Sequence, residues 1–341
     1  MVTIYDVAAK AGVSAATVSR VFNGIKVRPD MTEAVRRAAE ELGFVPNRMA
    51  RRLRTSSSEI IAMMIPDIEN PFFTVMTRAV EDIARAKGYS VMLCNTDEDP
   101  GKELDYLRVA VSEPVAGIIV APSSVNTRLD LAIERGVPVV CVDRHAANVE
   151  ADTVVADNLT GATAAARLLF EAGYHRVACI SGPEQVETAD LREQGWAAAY
   201  RASTNTEPPA DLVVRTSYTV AGGADATRRL LALPHPPDAI FAANNKLASG
   251  VIRVLAAQGK LPPAVGLVSF GGLPLVLLAP VGVMVTHLPA RRLGEVAATM
   301  LLERIEGLTG PGREVVLPLV YGDEDEGMEL IDGAHATTRT I

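Results

Sequence analysis

The sequence predicts an all-α helix-turn-helix headpiece followed by an α/β body of two doubly wound parallel-sheet subdomains. Three observations carry this reading. Helix starts and stops crowd the first 46 residues, whereas continuous apolar runs alternate with helical stretches from Glu59 onward. Charge divides the same way: residues 1–56 hold ten Lys/Arg against five Asp/Glu, and the remainder holds 23 against 36. A basic head on an acidic body indicates that only the head meets a polyanion. At roughly 100–200 residues per domain, 341 residues make two or three domains.

In the head, Val7, Ala8, Ala9 and Ala11 form a first helix that Gly12 ends. Ser14 suits the N-cap of a second helix running through residues 17–22 and ended by Asn23-Gly24. A third helix is expected over about 32–42, with Ala34, Val35, Ala38, Ala39 and Leu42 as its buried stripe. Helix, glycine turn, helix and third helix make the helix-turn-helix arrangement.

In the body, residues 60–66 form an apolar run typical of a strand buried on both faces. Similar runs recur at 90–94, 117–121, 137–142, 177–180, 239–243 and 266–270. Repeated βα units of this kind make parallel sheets covered by helices. The body's length favours two subdomains over one sheet, with a ligand cleft between them beyond the carboxyl ends of the strands. The domain reading is a headpiece at 1–46, a hinge and linker at 47–58, the body at 59–322 and a loose polar tail at 323–341.

Composition excludes several classes. Hydrophobic residues at 48% and charged residues at 22% exclude disorder over most of the chain. Cys94, Cys141 and Cys179 lack disulfide-framework or zinc spacing, and free thiols suit a reducing cytoplasm. The first residues do not read as a secretory signal, and the apolar stretch 273–288, broken by Pro274, Pro280 and Gly282, is too short to span a bilayer. No GxGxxG, P-loop, HExxH or GxSxG motif is present, and the five histidines are scattered. The expectation is therefore a non-enzyme without cofactor or metal.

The head carries Thr3-Ile4-Tyr5-Asp6-Val7-Ala8-Ala9-Lys10-Ala11-Gly12-Val13-Ser14 and Thr17-Val18-Ser19-Arg20-Val21-Phe22-Asn23. Further on come Gly43-Phe44-Val45-Pro46-Asn47, Asn70-Pro71-Phe72-Phe73, Val142-Asp143-Arg144, Ile180-Ser181-Gly182-Pro183 and Ala243-Asn244. Together they resemble the LacI/GalR family of bacterial transcription regulators over about residues 3–320. The resemblance implies a periplasmic-binding-protein-like body, and a homodimer that binds operator double-stranded DNA under control of a small-molecule effector. It also implies a cytoplasmic protein, in most cases a repressor, with no membrane partner.

The resemblance places Ala15, Ala16 and Arg20 at base-reading positions of the second helix. A helix fits the major groove, and an arginine there can bond guanine O6 and N7. A phosphate contact by Arg20 is the other open reading. The two alanines offer apolar contact, for instance to a thymine methyl. Ser14, Thr17 and Ser19 read as caps and phosphate contacts, which position the protein without specifying sequence, and the resemblance adds Thr3 and Asn23 to the DNA-binding positions. Residues 47–56 resemble the family's hinge. There Asn47, Ala50, Arg51 and Arg54 would lie against DNA, and Leu53 would wedge between base steps in the minor groove. A basic linker with Leu53 packed on the body is the alternative.

The same resemblance lines the effector cleft with Phe72, Phe73, Asp143, Thr188, Arg192, Tyr218, Asn244 and Gly271. Arg192 can fork onto hydroxyls, a carboxylate or a phosphate; a structural bridge between subdomains is its other reading. The chain departs from the family pattern nearby. Ser269-Phe270-Gly271-Gly272 stands where the family often carries two carboxylates, and Leu288 where it carries glutamine. Lost acceptors disfavour a neutral hexose and leave Arg192 less compensated. The expectation is an anionic, less polar or bulkier effector, or a pocket without one. A transport-type solute-binding protein shares the body fold but has no such head.

Overall fold

The computed structural model describes residues 2–22, 25–44, 58–113, 115–147, 149–273, 282–321, 329–330 and 337–340. The chain forms two compact units, Met1–Ser58 and Glu59–Ile341.

In the first unit, helix α1 spans Ile4–Ala11, α2 spans Ala15–Phe22 and α3 spans Pro29–Leu42. Each boundary has a local cause. The Thr3 backbone N–H and hydroxyl both donate to Asp6 Oδ2 at 2.7 Å, and Asp6 N–H donates back to the hydroxyl. Such a cap stabilises a helix by ~1 kcal/mol. Gly12 ends α1 in the left-handed region at φ 65°, and Ser14 Oγ accepts the Thr17 N–H at 3.1 Å to start α2. Helix α3 begins three residues before the expected Thr32. Pro29 takes its first position, where a missing N–H costs nothing, and Arg28 reaches Asp30 through two hydrogen bonds. Val7, Val18 and Val35 fill the centre with no exposure, beside a Phe22–Phe44 contact with centroids 5.8 Å apart.

The second unit contains two larger sheets. Its first half runs β1 (Ile60–Ile65), α4 (Pro71–Ala86), β2 (Ser90–Asn95), α5 (Pro100–Ser112), β3 (Gly117–Val120), α6 (Asp130–Ile133), β4 (Val139–Val142) and β5 (Asp152–Ala156). The chain then crosses to α7 (Asn158–Glu171), β6 (Val177–Ser181), α8 (Glu187–Thr204), β7 (Val213–Arg215), α9 (Val220–Leu231), β8 (Ala239–Ala242), α10 (Asn245–Ala257), β9 (Gly266–Phe270) and β10 (Met284–Thr286). It returns through α11 (Ala290–Ile305) to β11 (Arg313–Leu317), followed by β12 (Val320–Tyr321), β13 (Glu329–Leu330) and β14 (Thr337–Thr340).

The first sheet has the order β14-β11-β5-β4-β3-β1-β2, and the second β10-β9-β8-β6-β7. Every pairing within them is parallel except β11 with β14. In both sheets the chain starts in the interior, steps outward once, then returns past its start. Each sheet therefore has a switch point where neighbouring loops diverge and leave a crevice. The second core centres on Trp196, Phe241 and Phe270, each 1% exposed or less. Helix α11 seals the first by lying on α4 so closely that a Cβ at Gly294 would come 2.4 Å from the Met76 carbonyl oxygen.

Two sequence expectations are corrected. The tail is not loose throughout: Thr337–Thr340 pairs antiparallel with β11, from Arg313↔Thr340 to Val316↔Thr337. The open edge of β11 offers unpaired backbone groups that even a polar, threonine-rich segment can satisfy. Strands β5, β7, β10 and β11 carry no long apolar run, and pairing rather than composition makes them strands. The hinge at 47–57 lies outside the described residues.

Candidate functional site

On the head, α2 presents one solvent-facing edge. Ser14, Ala16 and Arg20 are exposed there, while Thr17 and Ser19 are half-buried and Ala15 is shared between solvent and the core. The Ser14 and Thr17 hydroxyls lie 2.9 Å apart, so both belong to the cap that starts the helix. Thr3 is committed to the cap of α1. Tyr5 on α1 is 74% exposed, an aromatic hydroxyl that the reading of α2 had passed over. Asn23, Asn47, Ala50, Arg51, Leu53 and Arg54 lie outside the described residues.

On the body, a cleft of about 580 Å³ opens beyond the carboxyl ends of β1, β2, β4, β6, β8, β9 and β10. Phe72, Phe73, Asp143, Thr188, Arg192, Tyr218, Asn244 and Gly271 all line it. Their places follow from strand ends and helix starts. Asn70 caps α4 by accepting the Phe72 N–H at 3.1 Å, which sets Phe72 and Phe73 at its entrance with ring centroids 4.9 Å apart. Phe73 is mostly core, at 4% exposure. Asn244 caps α10 through the Lys246 N–H at 2.7 Å. Asp143 follows β4 in the left-handed region at φ 70°, its N–H tied to the Val154 carbonyl at 2.9 Å. A non-glycine residue held there costs about 1–3 kcal/mol and is characteristic of functional sites.

Arg192 is buried on α8. Its Nε donates to Asn158 Oδ1 at 2.8 Å, its Nη1 donates to the Ala243 carbonyl at 2.9 Å, and the guanidinium lies 4.7 Å from the Phe270 ring centroid. Burial pulls this guanidinium below its ordinary value. Asp143 Oδ2 accepts Arg144 Nε at 3.2 Å, while its Oδ1 is buried without a partner. Burial pushes the Asp143 carboxyl up, against the pull of Arg144 and Arg192. The Tyr218 hydroxyl feels Arg192 and Thr188 but is buried without a hydrogen bond of acceptable geometry. One carboxylate oxygen and one hydroxyl thus face the cleft unsatisfied. Buried polar groups are rarely left so, and such exceptions mark places for a ligand or water.

Arg192, expected to be less compensated, makes no ion pair among the described residues and feels Asp143, while its neighbour Arg144 is paired. Glu98 takes both Arg144 nitrogens, Nη1 at 2.7 Å and Nη2 at 2.8 Å. Although burial opposes it, Glu98 and Asp143 hold Arg144 above its ordinary value. Two guanidiniums therefore face two carboxylates. Glu98 escaped sequence reading, as did a set of bridges across the mouth. Lys246 Nζ meets Asp67 Oδ2 at 2.5 Å, and Asn245 Nδ2 donates to Asn70 Oδ1 at 3.0 Å and to the Gly272 carbonyl at 3.1 Å. Outside the cleft lining, the His145 ring joins Glu187 Oε1 at 2.8 Å to Glu314 Oε1 at 2.9 Å. Only the signal of an acidic residue just past an apolar run could have pointed to Asp67 and Glu98.

Residues 3–47 match the family described as bacterial regulatory proteins, lacI family, and residues 58–324 match periplasmic binding proteins and sugar binding domain of LacI family. The chain is 35% identical to the ribose operon repressor of Halalkalibacterium halodurans over 308 residues, covering 90% of this chain and 91% of that one. It is 31% identical to the HTH-type transcriptional repressor CytR of Escherichia coli K12, covering 89% and 90%. Its fold superposes on the lac repressor dimer bound to operator and the anti-inducer ONPF with a TM-score of 0.82, at 23% identity and covering 93% and 96%. No helix among the described residues is long and apolar enough to cross a membrane.

Proposed function

The chain belongs to the LacI family of bacterial regulatory proteins, and from that premise we propose how it works. It is a DNA-binding transcriptional regulator, a repressor by its relatives, with a small-molecule-binding body. The finer reading is a cytoplasmic homodimer on a pseudo-palindromic operator, since two heads on a two-fold axis read two half-sites. Arg20 reads a guanine in each half-site, Ala16 touches an adjacent base, and Ser14 and Thr17 hold the helix start against phosphate. Leu53, outside the described residues, wedges a central base step.

The observation that carries the effector half is the pair of unsatisfied buried groups in the cleft, Asp143 Oδ1 and the Tyr218 hydroxyl. A ligand that satisfies them from both subdomains shifts the population of open and closed body. DNA affinity then changes by reciprocal linkage. The body performs no chemistry on what it binds.

Selection of bound sequences from a random duplex pool, with the full-length protein and no added ligand, tests the DNA half. The expected result is a palindromic motif with a central pyrimidine–purine step. A protein that enriches nothing, with or without metabolite extract, overturns the reading.

A further inference from the structure

His145 stands where the two halves of the body meet. It follows β4 of the first sheet, and its partners come from both sides. Glu187 opens α8, whose Trp196, Ala199 and Tyr200 belong to the core of the second sheet. Glu314 lies on β11 of the first sheet. Glu187 Oε2 accepts the His145 backbone N–H at 2.7 Å, and its Oε1 lies 2.8 Å from the ring Nδ1. Glu314 Oε1 lies 2.9 Å from Nε2. The second half thus holds residue 145 through both oxygens of one carboxylate, while a carboxylate of the first half meets the far nitrogen.

The chemistry of the ring decides what this arrangement needs. Imidazolium has two N–H groups, one for each carboxylate. Neutral imidazole has one N–H and one lone pair, so one carboxylate loses its donor. Two carboxylates, one from each half, then share an uncharged ring. The ring's bond to Glu187 holds it above the ordinary histidine value against the pull of burial, and Glu314 adds to this. Other charges surround the group. Arg144, next along the chain, draws on Glu187, but its hydrogen bonds go to Asp143, Glu98 and the Pro122 carbonyl. On α8, Asp190 is paired with Arg215. On β11, Arg313 bonds Asp152 and Glu303, and on β14 Arg339 is the ladder partner of Glu314.

Resting on the reading of the body as an effector domain with open and closed arrangements, we infer that His145 is a proton-operated clasp between its halves. Protonated, it ties the start of α8 to β4 and β11 and favours the closed arrangement. Deprotonated, it leaves carboxylates of the two halves facing one another and favours the open one. The switch works where histidine titrates. A proton and an effector that binds the closed body then strengthen each other's binding by linkage.

Pulsed electron–electron double resonance reads the clasp in the full-length protein without DNA or effector. Spin labels at Gln258→Cys, at the end of α10, and Thr309→Cys, past the end of α11, report on the two halves. Both positions are exposed, and the three native thiols are buried. Dilution with unlabelled protein keeps each measured pair within one protomer. The ratio of closed to open body is expected to fall about tenfold between about pH 5.5 and about pH 8.5, as for a group that holds its proton about tenfold more tightly in one arrangement than in the other. His145→Gln should remove the dependence. Glu314→Gln, whose amide can donate to the lone pair of the neutral ring, should keep the body closed in alkali. Distances that do not move with pH, or that move as far in His145→Gln, overturn the clasp; a histidine that only stabilises the fold would shift the melting temperature and leave the distances unchanged. Operator selection is independent of this measurement, so a protein that enriches a palindrome but shows no pH-dependent distance loses the clasp and keeps its DNA function.

Discussion

Lys246 at the start of α10 and Asp67 after β1 belong to different sheets, yet their side chains meet at 2.5 Å across the mouth of the cleft. Both are mostly shielded, at 19% and 25% side-chain exposure, and Glu69 stands 3.5 Å from the same ammonium. The bridge ties the loop after β1 to the start of α10.

Removing either partner, as Lys246→Met or Asp67→Asn, should cost about 1 kcal/mol, the upper range for a partly exposed pair. The double variant should lose little more than either single one. Urea denaturation of all four proteins measures the coupling. Strict additivity would mean that the pair contributes nothing.

His145 predicts a pH dependence. Its hydrogen bond to Glu187 raises its pKa above the ordinary histidine value, with Glu314 adding to the effect. Both ring nitrogens face carboxylates, so only the imidazolium satisfies both. For a cation whose folded value is raised, the stabilisation is full below the unfolded value, about 6.5. It is lost as pH rises through the higher folded value. Melting temperature should therefore fall over that window, and His145→Gln should flatten the profile. An unchanged profile in the variant would remove His145 as its cause.

Arg192→Met should be severe. It strips Asn158 and the Ala243 carbonyl of donors and leaves the buried Asp143 carboxylate with one counter-charge fewer. Breaking a buried charge arrangement costs about 3–5 kcal/mol. The deficit should be smaller in acid, where Asp143, already pushed up by burial, takes a proton. Denaturant midpoints in acid and in mild alkali give the comparison; equal losses at both would exclude Asp143 as the coupled group.

Ser14→Ala should weaken the start of α2 by ~1 kcal/mol. Hydrogen exchange at the amides of α2 is expected to quicken, with body amides unchanged. Exchange that stays as protected as before would show that packing on Val18 and Val21, not the cap, holds the helix.

Arg20→Ala should relax discrimination at one symmetric base pair per half-site by ~1–3 kcal/mol if it bonds guanine in a bidentate manner. Competition binding across operator variants reads this directly. Uniform weakening at every variant would place Arg20 on phosphate instead.

The sequence alone settled whatever depends on near neighbours along the chain. Gly12 and Ser14 mark helix ends because a cap is made within three or four residues. The runs at 60–65 and 266–270 announce strands because burial on both faces leaves no room for polar alternation. Asp143, Arg192 and Tyr218 could be placed at one cleft only through the resemblance to the family, and the strand ends that gather there in sheets of this winding agree with it. Tertiary structure decided which charges meet. Arg144 finds Glu98 from 46 residues away, Lys246 finds Asp67 from 179, and His145 finds Glu314 from 169. Periodicity reports which face a residue occupies and carries no record of what lies opposite. For the same reason the pairing of Thr337–Thr340 with β11 was hidden: a strand made by an edge in need of partners has no apolar pattern to announce it.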